Sequence, residues 1–346
     1  MIKILITEDS EVVATLLKAI FESEPDMRVV GWARNGREAV TLAHDLKPDV
    51  VTMDIRMPVM DGFDATRMLM STAPLPIVVV SSSVDDEELR ITFRAIDEGA
   101  LAVIEKPRGI LHPDFDKVRV ELVETVRAMS EVKVVRRRRP RPNADIFKTI
   151  VARRTGAIAV VGIACSTGGP QALAALLGGL PVGFPLPVLV VQHISAGFVG
   201  GLVNWLRGQT LLDVALARDL QALQAGTVYL APDGYHLEVT RAAGQLAIHL
   251  SDAPPTAGFR PSGNVLFHSL AKVCPNAAVG GILTGMGNDG ADGLAALRKA
   301  GGRTFVQDEE SAVVYGMPGA ALALNAVDSV VPLPRIPAHL IDLARS

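Results

Sequence analysis

Three residues far apart in the chain, Ser166, His193 and Asp289, have the types that acyl transfer needs: a hydroxyl nucleophile, an imidazole base and a carboxylate to orient the base. A second set, Glu8, Asp9, Asp54, Ser81 and Lys106, has different chemistry. Three clustered carboxylates repel one another unless a divalent cation lies among them, and hard oxygen ligands with open water positions suit Mg²⁺. Lys106 can pair with a carboxylate or an incoming phosphoryl group, and the Ser81 hydroxyl can donate to a phosphoryl oxygen.

Ser166 lies in Cys165-Ser166-Thr167-Gly168-Gly169-Pro170, between an apolar run and a helical pattern. A serine on such a turn is exposed at the strand end. The glycines let backbone approach closely, and the helix start offers unpaired N–H groups to an anion. Two chemistries fit, a phosphate cradle or a nucleophile beside an oxyanion hole, and a plain helix cap fits as well. The spacing is neither G-x-S-x-G nor a Walker loop nor G-x-G-x-x-G. His193 follows the run Val188–Val191, and Asp289 follows Val279–Leu283 within Thr284–Gly290. Three strand ends thus bring Ser, His and Asp to one rim. His236, just after the Asp233-Gly234 turn, and His268, in a helical pattern, are the rival bases.

The elements that must position these groups alternate between two periodicities. Continuous Val/Ile-rich runs at Ile2–Ile6, Val29–Trp32, Val50–Met53, Ile77–Val80 and Leu101–Ile104 suit parallel strands buried on both faces. Helical patterns at Arg37–Asp45, Gly62–Ser71 and Glu87–Asp97 lie between them. Five β-α units in this length predict a doubly wound, five-stranded parallel sheet over residues 1–127, and the acidic and basic candidates fall at its carboxyl ends. A helix over Glu121–Val135 runs into Arg136-Arg137-Arg138-Arg139-Pro140, where proline and like-charge crowding oppose compact structure. Residues 128–155 are therefore expected to be a linker. From 156 to 346 a second α/β domain with a mostly parallel sheet is expected. Its strands are Ile158–Ile163, Val188–Val191, Val228–Leu230, Val279–Leu283 and Thr304–Gln307, with a hairpin of Leu237–Val239 and Leu246–Leu250 around Ala243-Gly244. Gln171–Leu177 and Gly290–Lys299 read as helices.

Composition narrows the function. The 346 residues are 49% hydrophobic and 21% charged, enough for two buried cores. The net charge of −3 gives no global reason to expect nucleic-acid binding, and no helix-turn-helix follows the arginine run. Two cysteines, Cys165 and Cys274, form no disulfide framework or metal-ligand spacing. The opening residues lack a signal-peptide pattern, and no apolar stretch is long enough to span a membrane. A cytoplasmic setting without membrane insertion is expected.

Two resemblances sharpen this reading. Glu8-Asp9, Asp54 with Met57-Pro58 and Asp61-Gly62, Ser81, and Glu105-Lys106-Pro107 resemble the receiver domain of two-component response regulators. The resemblance implies that Asp54 accepts phosphate from a histidine kinase of the chemotaxis type, with Mg²⁺ held by Glu8, Asp9 and Asp54 and support from Ser81 and Lys106. Val103 stands where many receivers carry a switching aromatic ring. Ser166-Thr167-Gly168-Gly169, Gln192-His193, Ala231-Pro232 with His236-Leu237, Arg260-Pro261-Ser262, Val265-Leu266-Phe267 and Thr284–Gly290 resemble the chemotaxis protein-glutamate methylesterases, the CheB family. That resemblance implies Ser166 as nucleophile, His193 as general base and then acid, and Asp289 as the orienting carboxylate. Thr167 and Met286, the latter through its N–H, would form the oxyanion hole, and the esterase site would need no cofactor. The implied substrates are glutamate γ-methyl esters of methyl-accepting chemoreceptors, with deamidation of receptor glutamines as a second activity. The regulatory expectation is that the unphosphorylated receiver covers the esterase cleft and that phosphorylation at Asp54 favours opening it. Cys165 replaces the usual alanine and is expected to be a small packed residue, and Gly263-Asn264 replaces a common Val-Asp pair.

Overall fold

A computed structural model of the chain describes residues 1–81, 93, 95–132 and 158–345. The chain divides into two compact units, Met1–Pro140 and Arg141–Ser346.

In the first unit, five strands form one sheet: β1 (Ile2–Thr7), β2 (Met27–Ala33), β3 (Val50–Met53), β4 (Ile77–Ser81) and β5 (Ala102–Glu105), in the order β2-β1-β3-β4-β5 with every pair parallel. Side chains of β3 and β4 are buried on both faces, which is why their sequences are continuous apolar runs rather than alternating ones. Three helices, α1 (Glu11–Glu22), α2 (Gly36–Leu46) and α3 (Gly62–Thr72), begin where polar caps stand. At α2, Asn35 Oδ1 accepts from the Glu38 N–H at 3.0 Å while Glu38 reaches back to the Arg34 N–H at 2.8 Å, so orphan donors at the helix start are satisfied from both sides. The helix expected over Glu87–Asp97 lies mostly outside the described residues.

The next helix, α4, runs Phe115–Ser130 rather than Glu121–Val135. Val118, Leu122, Val126 and Met129 lie on its buried face, so the helical period reaches back to Asp114, the residue before the helix. The first three residues of the expected linker are consequently helical. Its remainder from 133 lies outside the described residues.

The second unit holds a seven-stranded sheet, β6 (Val160–Cys165), β7 (Val188–Gln192), β8 (Asp213–Leu216), β9 (Thr227–Leu230), β12 (Ala278–Ile282), β13 (Arg303–Gln307) and β14 (Ser329–Val331), ordered β14-β13-β12-β6-β7-β9-β8 and parallel throughout. A separate antiparallel hairpin, β10 (His236–Ala242) with β11 (Gln245–Ser251), closes at Ala243-Gly244 as expected. The edge strands β8 and β14 have no counterpart in the sequence reading: each is short and buries few side chains. Helices α5 (Gly169–Gly178), α6 (Val199–Arg207), α7 (Gly263–Val273), α8 (Ala291–Lys299), α9 (Gly316–Ala323) and α10 (Ile336–Arg345) complete the unit. Among the described residues no helix is long and apolar enough to cross a membrane.

Strand β6 sits where the connection reverses: β7 follows on one side and β12 lies on the other. Loops on the carboxyl side of such a switch point diverge and leave a crevice. The loops after β6, β7 and β12 carry Ser166, His193 and Asp289. Helix α7 is fastened over this region by Leu266, Phe267 and Leu270, all fully buried, and its first turn meets the crevice. Phe267→Ala is expected to lower unfolding free energy by about 3–5 kcal/mol through the cavity it leaves; a chemical-denaturation midpoint within error of the parent would contradict this packing role.

Candidate active site

Asp289 is almost wholly buried, and a buried carboxylate is stable as an ion only if its lone pairs are occupied. Four donors occupy them. His193 Nε2 is 2.9 Å from Oδ2, the Gly263 N–H donates to Oδ2 at 2.6 Å, the Ser262 hydroxyl donates to Oδ1 at 2.6 Å, and the Asn264 N–H donates to Oδ1 at 3.2 Å. Three of the four come from the start of α7, where unpaired amides and the helix dipole favour an anion. Burial alone would raise the Asp289 carboxyl, but His193, Ser262 and Gly263 outweigh it and hold it below the usual carboxylate range. Because Asp289 is ionised, Nε2 of His193 must be the donor. The ring's other nitrogen, Nδ1, is then the acceptor, and it is buried without a hydrogen-bond partner among the described residues.

Ser166 comes to the same rim through backbone bonds. The His193 N–H donates to the Cys165 carbonyl at 2.9 Å, and the Ser166 N–H donates to the Thr284 carbonyl at 3.1 Å. The buried Gln192 side chain joins the two ends: its Nε2 donates to the Ser166 carbonyl at 2.8 Å and to the His193 carbonyl at 2.7 Å. Its Oε1 accepts from the Cys165 thiol at 3.1 Å, which fixes the amide's orientation. Cys165 is fully buried and burial pushes its thiol up, so it is the small packed residue expected from its position. A Cβ on Gly169 would lie 1.9 Å from Gln192 Oε1, and one on Gly285 would lie 2.8 Å from Ser166 Cβ. Both glycines are demanded by these close approaches. The Ser166 hydroxyl makes no hydrogen bond among the described residues.

The backbone donors expected of an oxyanion hole are oriented by their neighbours. The Ser166 carbonyl accepts from Gln192 and from the Gly169 N–H at 2.7 Å, so the same planar peptide points the Thr167 N–H the opposite way. The Gly285 carbonyl accepts from the Met317 N–H at 2.9 Å, which sets the Met286 N–H in the same manner. Thr284 Oγ1 donates to the Thr167 carbonyl at 2.9 Å and bridges the two loops. Neither the Thr167 nor the Met286 N–H has a protein acceptor among the described residues.

The rival histidines are committed elsewhere. His236 Nε2 is 3.1 Å from the Pro254 carbonyl, and His268 on α7 pairs with Asp292 at 3.0 Å. Ser262, the Gly263 and Asn264 amides, and Gln192 as a bridge were not assigned roles from sequence. The only signal was their place in short motifs, Arg260-Pro261-Ser262 and Gln192-His193. The Gly263-Asn264 pair also proves tightly held: a Cβ at 263 would lie 2.7 Å from Ala164 Cβ, and Asn264 Oδ1 accepts from the Gly293 N–H at 2.8 Å.

In the first unit, Glu8, Asp9 and Asp54 each offer an oxygen, all within 4.8 Å of one another. Lys106 Nζ lies 2.8 Å from Glu8 Oε2 and 2.9 Å from Asp54 Oδ2. The Ile55 N–H donates to Asp54 Oδ1 at 2.7 Å. Ser81 ends the neighbouring strand and is buried. Burial raises the Glu8 and Asp54 carboxyls above their usual range despite Lys106. Lys106 is in turn held above its ordinary value because the two acids outweigh its own desolvation. One ammonium among three carboxylates leaves excess negative charge, and a hard, oxygen-rich donor set fits a divalent cation such as Mg²⁺.

Comparisons with known proteins match both halves of the chain. Residues 161–340 match the family model described as CheB methylesterase, and residues 4–111 match that of the response regulator receiver domain. The chain is 46% identical over 331 residues to protein-glutamate methylesterase/protein-glutamine glutaminase 2 of Methanospirillum hungatei JF-1, covering 94% of this chain and 93% of that protein. It is 45% identical over 347 residues to the protein of the same descriptive name from Nitrosospira multiformis, covering 99% and 97%. The crystal structure of the Thermotoga maritima CheB methylesterase catalytic domain aligns with a TM-score of 0.53 and 34% identity, covering 54% of this chain and 98% of that domain.

Two outcomes follow. In the folded protein Asp289 titrates below its unfolded value, so its stabilisation is complete above about pH 4 and is lost as pH falls through the folded value. Ser262→Ala is expected to cost about 1.5–3 kcal/mol at neutral pH, a cost that shrinks in acid, as read from urea midpoints across pH; a pH-independent cost would contradict it. Glu8 and Asp54 titrate above their unfolded values, so their ionisation costs stability as pH rises past the carboxylate range. Mg²⁺ should therefore raise the receiver's melting transition more at about pH 7 than at about pH 5, and Asp9→Asn should reduce the gain. An equal gain at both pH values would speak against carboxylate ligation.

Proposed function

Because this chain belongs to the CheB methylesterase family and carries a response regulator receiver domain, we propose that it hydrolyses γ-methyl esters of glutamate side chains on methyl-accepting chemoreceptors under control of phosphorylation at Asp54. Deamidation of receptor glutamines is the second activity of the same site. The phosphodonor is a histidine kinase of the chemotaxis type. The observation that carries the reading is the His193–Asp289 hydrogen bond, which occupies Nε2 and leaves Nδ1 as the acceptor on the rim that also presents Ser166.

In this mechanism the Ser166 oxygen attacks the ester carbonyl carbon while its proton passes to Nδ1 of His193. Asp289 stabilises the imidazolium through Nε2–H and keeps the ring in one orientation. The Thr167 and Met286 N–H groups hold the tetrahedral oxyanion, each worth about 3–4 kcal/mol of barrier. Collapse breaks the bond to the methoxy oxygen, which takes the proton from His193 and leaves as methanol. Water then attacks the glutamyl-serine ester, His193 takes a proton again, and glutamate and free Ser166 are released. With glutamine the leaving group is ammonia.

At the receiver, Lys106 holds a cation against the Asp54 oxygen and Ser81 supplies a hydroxyl at the neighbouring strand end, so an incoming phosphoryl group meets positive charge and a donor. Glu8, Asp9 and Asp54 would hold a divalent cation there, which would supply charge neutralisation for phosphoryl transfer to Asp54. Control of 5–150-fold corresponds to about 1–3 kcal/mol of coupling.

The deciding experiment is methanol release from methylated receptor by the full chain. Ser166→Ala should reduce the rate on the order of 10⁴-fold or more and abolish labelling by a serine-directed fluorophosphonate. Asp54→Asn should keep the basal rate and lose stimulation by a small-molecule phosphodonor. Undiminished hydrolysis by Ser166→Ala would leave the Ser166–Gly169 loop as a phosphate cradle instead.

A further inference from the structure

We propose that Phe259 is a positioning residue for His193, setting the ring's plane and stabilising its charged form, so that the strength of the base is tuned from the loop joining β11 to α7. This rests on the reading of His193 as general base. The rings of His193 and Phe259 are stacked, with centroids 4.2 Å apart and planes only 8° from parallel. Neither the type nor the spacing of Phe259 marks it in the sequence; it is one of ten phenylalanines and lies outside any strand or helix.

Loop construction holds the ring there. Thr256 and Phe259 exchange backbone hydrogen bonds of 3.0 Å in both directions, closing a tight turn through Ala257 and Gly258, both at positive φ. The Arg260 guanidinium donates to the Asp252 and Ala253 carbonyls at 2.8 and 3.1 Å, and His236 Nε2 meets the Pro254 carbonyl. The far end of the loop is Ser262, whose hydroxyl bonds Asp289. One loop thus fixes the imidazole from two sides, through its face at Phe259 and through its carboxylate partner at Ser262.

The chemistry follows from the aromatic quadrupole. A cation within about 6 Å of an aromatic centroid is attracted to the ring face. His193 is neutral before attack and an imidazolium after taking the serine proton, so the attraction grows as the reaction proceeds. The charged and polar groups nearby act elsewhere than on the stacked face. Asp289 meets the ring edge at Nε2, Gln192 before it is neutral, and Arg260 is turned to carbonyls of its own loop.

The test replaces Phe259 in the full chain by leucine and, separately, by 3,4,5-trifluorophenylalanine, which keeps the shape but weakens the face potential. Two readings are taken: the pH profile of kcat/KM for methanol release, and the titration midpoint of the ¹³C-labelled His193 ring, assigned with His193→Gln. Both variants should lower kcat/KM by about 2–30-fold and move the acidic limb and the midpoint to lower pH. An unmoved limb and midpoint in both variants would overturn the proposal. Movement in the leucine variant alone would overturn it too, because the effect would then trace to packing. If Ser166→Ala retains hydrolysis, the hydrolase reading fails, and the His193 midpoint still decides the role of the stack.

Discussion

The hydrolase half of this protein depends on keeping one carboxylate charged where water cannot reach it. An ion at the position of Asp289 would be costly in an apolar core, and each missing donor would leave a lone pair unmet. The chain meets that requirement with the first turn of α7, whose amides and serine hydroxyl are spent on the anion rather than on solvent. The fourth partner is His193, so the ring's orientation is a by-product of satisfying the carboxylate. Helix α7 can serve in this way because its buried face anchors it against the sheet core.

Around this anchor, the loops after β6, β7 and β12 are joined by hydrogen bonds that cross from one strand end to the next. Gln192 ties the carbonyls of Ser166 and His193, and Thr284 ties the loop after β12 to Thr167. The bonds accepted by the Ser166 and Gly285 carbonyls also fix two peptide planes, and with them the directions of the Thr167 and Met286 N–H groups. A parallel sheet supplies the strand ends in register, and the reversal of connection at β6 opens space between them. The receiver half applies the same sheet geometry to a different problem. There burial outweighs Lys106 and raises the Glu8 and Asp54 carboxyls above their usual range, the opposite outcome to Asp289.

Much of this was legible in the sequence, for identifiable reasons. Continuous apolar runs marked the central strands; Asp54, Ser166 and His193 directly after them, and Asp289 in the loop after β12, lay at the rims where parallel sheets place their chemistry. The edge strands β8 and β14 were not legible because three or four residues with few buried side chains carry almost no pattern. The sequence pattern sets the start of helix α4 too late because Val132, Val134 and Val135 extend its apolar spacing toward the C-terminal side, while Pro113-Asp114 carries the better start signal. The supporting contacts of the site were least visible. Ser262 and Phe259 reach it through a loop, and the Gly263 and Asn264 donors are backbone groups that leave no trace in side-chain type.

The central claim is that Asp289 fixes His193 as the tautomer protonated at Nε2, with Nδ1 free to accept the serine proton. The ¹⁵N spectrum of the His193 ring in the full chain at neutral pH tests it directly. The account predicts a protonated Nε2 whose proton is shifted far downfield by the carboxylate, together with an unprotonated Nδ1. A proton found on Nδ1, with Nε2 bare, would contradict it.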